Sequence, residues 1–148
     1  MRKIPLTIKR FEPKYLNEIL EIERESFKYP YDKSIFLSLY RIHPDGFIIA
    51  LYDSRVVGYI IAIPWGFKGK IMSIAVRREF RRKGIGRMLM EEAIKHLANL
   101  GFKEIDLEVR VSNIEAIKLY EKLGFKIIDR IKCYYPDGED AYVMELKL

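Results

Sequence analysis

The sequence predicts an α/β domain with one mixed sheet, its elements in the order βααβββαβαββ, and three observations carry that reading. Apolar runs of strand length alternate with segments whose apolar residues recur at helical spacing. Turns rich in Gly, Pro and Asp separate them. No internal repeat, linker or low-complexity tract interrupts the alternation. At 148 residues, 49% hydrophobic and 32% charged, the chain suits one domain over residues 1–148 with a real core, not a disordered polymer.

Leu6, Ile8 and Arg10 alternate with Thr7, Lys9 and Phe11 in a first strand, and Pro13 suits the first turn of the helix that follows. Across residues 15–27, Leu16, Ile19, Leu20, Ile22 and Phe27 recur at near-helical spacing. Pro30 disfavours helix at Tyr29, so residues 27–31 form an aromatic loop, and Asp32 caps a short helix running to about Arg41. Pro44, Asp45 and Gly46 break the chain before a hairpin of residues 47–52 and 56–65, turned at 53–55. After a turn at 66–69, residues 70–76 make another strand and 77–87 a basic segment. Ile85, Leu89, Ala93 and Leu97, with Met88 alongside, then form the apolar stripe of a long helix that Gly101 stops. A strand at 104–110, a helix at 113–123 ended by Gly124, and strands at 125–134 and 140–146 complete the order.

Composition removes several function classes. The apolar stretches at 47–52 and 59–65 fall far short of the roughly 20 residues that span a bilayer, so no membrane partner is expected. Residues 1–10 carry charge at both ends and lack the apolar centre of a secretory signal, which predicts a cytoplasmic protein. Cys133, the single cysteine, has no partner for a disulfide, and without a Cys/His cluster no metal site is expected; it reads as a buried strand residue, and His43 and His96 as surface residues. The absence of Gln, the three Asn and the abundance of Lys, Glu and Ile fit a thermophilic source. A net charge of +6 calls for an anionic partner: nucleic acid, a membrane surface or a phosphorylated cofactor.

The chemistry concentrates in Arg81-Arg82-Lys83-Gly84-Ile85-Gly86-Arg87, set between a strand and an amphipathic helix. Two glycines let the backbone approach a ligand, and the helix N-terminus offers free N–H groups and a positive dipole end to phosphates. The segment is not a Walker loop, since Gly-Lys-Ser/Thr is missing, nor a dinucleotide fingerprint, since no third glycine or acidic ribose partner is in place. By spacing alone, a basic solvated turn explains it equally well.

Ser73-Ile74-Ala75-Val76 followed by Arg81-Arg82-Lys83-Gly84-Ile85-Gly86 resembles the acetyl-CoA-binding motif, R/Q-x-x-G-x-G/A, of the GNAT superfamily of N-acetyltransferases. Leu107-Glu108-Val109-Arg110-Val111-Ser112-Asn113, Ala116, Leu119-Tyr120-Glu121-Lys122-Leu123-Gly124-Phe125 and the stretch 134–141 resemble its protein N-terminal acetyltransferase branch. That branch includes the bacterial ribosomal-protein alanine acetyltransferases and the archaeal and eukaryotic N-terminal α-acetyltransferases. The resemblance runs from about Phe27 to the C-terminus and implies a mostly antiparallel mixed sheet flanked by helices.

It further implies direct acetyl transfer from acetyl-CoA to the free α-amino group of protein N-termini in a ternary complex. Glu108 matches the general base, acting through water, and Tyr120 the acid that protonates the departing thiolate. Strand alternation sets Glu108 opposite Leu107 and Val109, out of the core. The backbone of Ile74, Ala75 and Val76 would pair with the pantetheine arm; Arg81, Arg82, Lys83, Gly84, Ile85, Gly86 and Arg87 would hold the phosphates; Asn113 would contact the cofactor while capping its helix. Arg77 and Arg78 extend the cationic run, which coenzyme A accounts for without RNA. Phe27, Tyr29, Pro30 and Tyr31, with Tyr134 and Tyr135, match the two loops that clasp the acceptor peptide; rim packing is their ordinary alternative. Tyr31 stands where relatives selecting acidic N-termini carry Glu, and Lys70 where some have a catalytic His or Tyr. Ribosomal or nascent chains are the implied acceptors, with the enzyme a monomer or weak dimer. The rivals are a small-amine (polyamine-like) or lysine acetyltransferase, which for a polyamine would need an open acidic cleft, and a non-catalytic RNA- or ribosome-binding module.

Overall fold

The computed structural model describes residues 5–148. Its elements are β1 (Leu6–Arg10), α1 (Leu16–Ser26), α2 (Lys33–Ile42), β2 (Phe47–Tyr52), β3 (Arg55–Trp65), β4 (Lys68–Val76), α3 (Ile85–Asn99), β5 (Glu104–Arg110), α4 (Ile114–Lys122), β6 (Lys126–Ile131) and β7 (Ala141–Lys147). This is the expected order; of the charged N-terminal stretch, residues 1–4 lie outside the described part. Asp32 caps α2 through Ile35 N–H at 3.1 Å. Among the described residues no helix is long and apolar enough to cross a membrane.

One seven-stranded sheet runs β1-β2-β3-β4-β5-β7-β6, antiparallel throughout except for β4 against β5. Strand alternation sorts the apolar residues into two cores. Ile48, Ala50, Val57, Ile60 and Ala62 face α3 and α4, whereas Phe47, Ile49, Tyr59, Ile61 and Ile63 face α1 and α2. In β5 the alternation continues but the cover does not. Ile105, Leu107 and Val109 enter the first core, while Glu104, Asp106, Glu108 and Arg110 line a face that contributes nothing to the second.

The parallel pairing is short: Gly69 opposes Ile105 and Lys70 opposes Asp106, and there the ladder ends. Just beyond, the β3–β4 register shifts between Ile61 and Ala62, leaving Met72 as an extra residue in β4. A bulge bends its strand and increases the local twist. The C-terminal half of β4 therefore parts from β5 and leaves an unpaired edge over residues 74–76.

Three expectations are corrected. The sixth strand stops at Ile131, not residue 134, because Lys132 and Cys133 turn the chain, Cys133 at φ +52°. Cys133 is accordingly exposed, its N–H donating to Asp140 Oδ1 at 2.9 Å, and is not a buried strand residue. His43 and His96 are not free surface residues: their Nε2 atoms stand 2.8 Å apart in a half-buried contact tying the end of α2 to α3.

Candidate active site

The parting of β4 and β5 opens a groove of about 610 Å³ bounded by Ile74, Ala75 and Val76, by the loop after β4, and by one side of α4. Arg81, Arg82, Gly84, Ile85, Gly86, Arg87, Asn113 and Tyr120 line it. Helix α3 starts here with Gly84 at its N-cap, φ +83°, a conformation open to glycine. Its first internal bond runs from Met88 N–H to Gly84 O at 3.0 Å. The amides of Ile85, Gly86 and Arg87 thus have no acceptor among the described residues, and the N-cap supplies no side chain to take one. A Cβ at Gly86 would enter this space 3.6 Å from Leu119 Cδ2. Free amides, a helix N-terminus and a bare backbone wall fit a pyrophosphate.

The cations divide in a way sequence does not show. Arg77 is buried, bonded from Nε to Val56 O at 2.7 Å and paired with Glu21 at 3.0 Å, and so is removed from the phosphate set. Arg81 braces the loop, donating from Nε to Val76 O at 2.9 Å and from Nη2 to Ser26 Oγ at 3.2 Å. Lys83 does not line the groove; its ammonium lies 5.8 Å from the Phe80 ring centre. Lys118 and Lys122 do line it, one helical turn apart on α4, and sequence reasoning missed them although the α4 period puts them on one face with Glu115 and Leu119, which also line the groove. Asn113 accepts from Ala116 N–H at 3.2 Å, so the cap is real and the residue also borders the groove. Tyr120 is buried, which pushes its phenol up to about 12.

On the opposite face of the sheet, a hollow of about 190 Å³ is lined by Trp65, Lys68, Gly69, Lys70, Asp106, Glu108 and Val143. Glu108 points out of the core, as its strand parity predicts. Lys70 Nζ sits 2.8 Å from Glu108 Oε1 and 4.5 Å from the Trp65 ring centre. Tyr134 Oη donates to the same oxygen at 3.3 Å, and no described group donates to Oε2. Burial first, then the Glu108 charge, pushes the Tyr134 phenol up to about 12. Glu108 and Tyr120 therefore do not share one pocket: each lies on its own side of the sheet, near the parting of β4 and β5.

The two aromatic loops do meet. Lys28 Nζ reaches Asp137 Oδ2 at 3.3 Å, and Tyr134 packs edge-on against Tyr135 at 5.0 Å between ring centres. Tyr29 and Pro30 are exposed, and Tyr31 is half-buried against Phe36. Phe27 lines the larger groove. Behind Tyr31 lies a group that no motif announced: buried Glu23 accepts from Tyr31 N–H at 2.9 Å and from Tyr59 Oη, which also contacts Ser73 Oγ at 3.0 Å. Burial raises the Glu23 carboxyl above its ordinary range. Among the described residues no three His, Cys, Asp or Glu side chains are placed to hold a metal ion.

A groove with free helix amides and a buried phenol, backed by a carboxylate across the sheet, has the groups that parting a thiolate from an acyl group and taking a proton from an incoming amine would need. The acetyltransferase (GNAT) family model matches residues 16–125. An N-alpha-acetyltransferase from Saccharolobus solfataricus is 43% identical over 142 residues, covering 87% of this chain and 85% of its own. Among solved structures, Ard1 from Thermoplasma volcanium matches with a TM-score of 0.95 at 32% identity, over 98% of this chain and 99% of that one. A chain of the NatC complex bound to Gag peptide and CoA matches at 0.89 and 26% identity, over 97% and 98%.

Proposed function

The chain belongs to the GNAT acetyltransferase family, and from that premise we propose that it transfers the acetyl group of acetyl-CoA to the free α-amino group of protein N-termini by direct attack in a ternary complex. The observation that carries the reading is the parting of β4 and β5, which sets a cofactor-sized groove with unpartnered helix amides on one face of the sheet and Glu108 on the other. The N-alpha-acetyltransferase relative and the peptide-bound NatC structure support the N-terminal acceptor.

In this reading the α3 amides and Arg82, Arg87, Lys118 and Lys122 take the phosphates of coenzyme A, and the open edge of Ile74 and Ala75 takes the pantetheine arm. The neutral amine attacks the thioester carbonyl, Glu108 receives its proton through Oε2 or a bridging water, and Tyr120 protonates the leaving sulfur. An α-amine, with a reference pKa of about 7.7–8.0 against about 10.4 for lysine, is the acceptor better matched to a carboxylate base. The hollow is not the acidic cleft a polyamine would need, since Lys68 and Lys70 match Asp106 and Glu108. Tyr29, Pro30, Tyr31, Tyr134 and Tyr135 hold the acceptor's first residues. Residues 1–148 act as one catalytic domain, working in the cytoplasm of a thermophile on nascent or ribosomal chains, as a monomer or weak dimer.

The test is incubation with acetyl-CoA and an N-terminal peptide library, read by mass spectrometry. Acetylated α-amines are expected; modified lysines with untouched α-amines would overturn the acceptor assignment.

A further inference from the structure

We propose that Arg110 is a positioning residue for the acceptor, holding the 132–140 loop in place beside Glu108 and, through Asp137 and Lys28, setting the spacing of the two acceptor loops. The proposal rests on the acceptor reading above and adds a residue to it. Arg110 lies two positions beyond Glu108 on the same face of β5. Its Nη1 donates to Asp137 Oδ1 at 3.1 Å, to Asp137 Oδ2 at 3.0 Å and to Glu139 Oε1 at 2.8 Å. Its guanidinium also lies 4.1 Å from the centre of the Tyr135 ring. One side chain thus fixes three residues of a single loop, and that loop carries Tyr134, whose hydroxyl is on Glu108.

The two carboxylates pass the constraint on. Asp137 reaches Lys28 Nζ at 3.3 Å, in the loop between α1 and α2, and Glu139 Oε2 accepts from Ser112 N–H at 3.0 Å, beside the Asn113 cap. Arg110 is largely shielded, at 23% side-chain exposure, whereas Lys28 is 65% exposed. The inner contacts are therefore the rigid part and the Lys28 contact the salt-sensitive one. A planar fork suits this place and an ammonium does not, because a single ammonium lacks the flat face that stacks on Tyr135.

The experiment is steady-state kinetics on an N-terminal peptide, with acetyl-CoA and peptide varied separately. Lys28→Met, a surface change, is expected to raise the peptide KM roughly three- to fivefold, the size of an exposed ion pair, with kcat altered less than about twofold. Added NaCl should raise the wild-type peptide KM and leave that of Lys28→Met nearly flat. Arg110→Met should raise the peptide KM by about tenfold or more, with Arg110→Lys recovering only part, while the acetyl-CoA KM stays at its wild-type value. Peptide KM values near wild type in both variants, or an acetyl-CoA KM rising in step with the peptide KM, would overturn the proposal. Should Arg110→Met fail to fold, a double-mutant cycle of Lys28→Met with Asp137→Asn decides: non-additive peptide KM effects are expected, and additive ones sink it. Wild type that acetylates no α-amine would instead refute the acceptor reading itself.

Discussion

Lys70 Nζ lies 2.8 Å from Glu108 Oε1, and both side chains are more than four-fifths buried, at 15% and 16% exposure. The pair balances the Glu108 charge in the hollow and leaves Oε2 without a donor among the described residues. Glu108→Gln should lower turnover by roughly 10²-fold near pH 7, the low end for a general base, and the loss should shrink as pH rises and the amine sheds its own proton. The same change strands a shielded ammonium, so Tm should fall as well. Glu108→Gln combined with Lys70→Met separates the effects: Tm is expected to recover and turnover is not. A Glu108→Gln rate equal to wild type near pH 7 removes Glu108 from the mechanism.

Tyr120 should behave differently. Burial holds its phenol near 12, so it stays protonated across the working range and can donate throughout. Tyr120→Phe should therefore depress turnover by a constant factor from about pH 6 to 9.5, with no recovery at high pH. Rate profiles on folded protein decide it, and a loss that disappears by pH 9.5 would assign the proton to another donor.

Sequence reading succeeded where structure is local. The runs at 47–52 and 104–110 became β2 and β5 at those bounds because aliphatic residues sit between Pro, Asp and Gly punctuation. It failed where partners are remote. Arg77 looks like Arg81 in the chain, yet it is buried, held by Val56 O and by Glu21, 56 residues away, whereas Arg81 stays exposed. Ile131 and Tyr134 prolong an apolar run, but the turn at Cys133 is set by Asp140 across the loop. The parting of β4 from β5 depends on a register and a bulge, neither of which one strand's alternation encodes. Lys118 and Lys122 were readable from the helical period and carried no motif to draw attention.

Gly86 offers the cleanest test of the phosphate cradle. A side chain there meets Leu119 Cδ2 at 3.6 Å, an ordinary contact, so the fold tolerates it while the groove loses room. Gly84 would be a poorer choice, because φ +83° strains any replacement. Gly86→Val should keep Tm close to wild type and weaken calorimetric coenzyme A binding by about tenfold or more, as expected when a ligand loses direct amide contacts. Wild-type affinity would show that the amides do not hold the ligand.

The His43–His96 contact predicts an acid-side stability loss unrelated to the active site. A bond between two Nε2 atoms at 2.8 Å needs one ring to accept, so it survives only while at least one is neutral. Burial, and then the charge of His43, lowers the His96 pKa; Asp45 opposes this and Arg10 adds to it. The folded state thus binds fewer protons at His96 than the unfolded chain, whose histidine titrates at about 6.5. Stability is fully present above that pH and is lost as pH falls toward the lower folded value. From about pH 7 to 5 the carboxylates do not produce such a decline: Asp137, Glu139 and Asp140 are held below their ordinary range and titrate further down, while Glu23 and Asp106, raised first of all by burial, bind protons more readily when folded and so add stability as pH falls. Thermal melts across that interval should show a wild-type Tm that declines with acid, and a shallower decline in His96→Gln, which has no ring to charge. Parallel curves for the two proteins would mean that the decline has its source elsewhere.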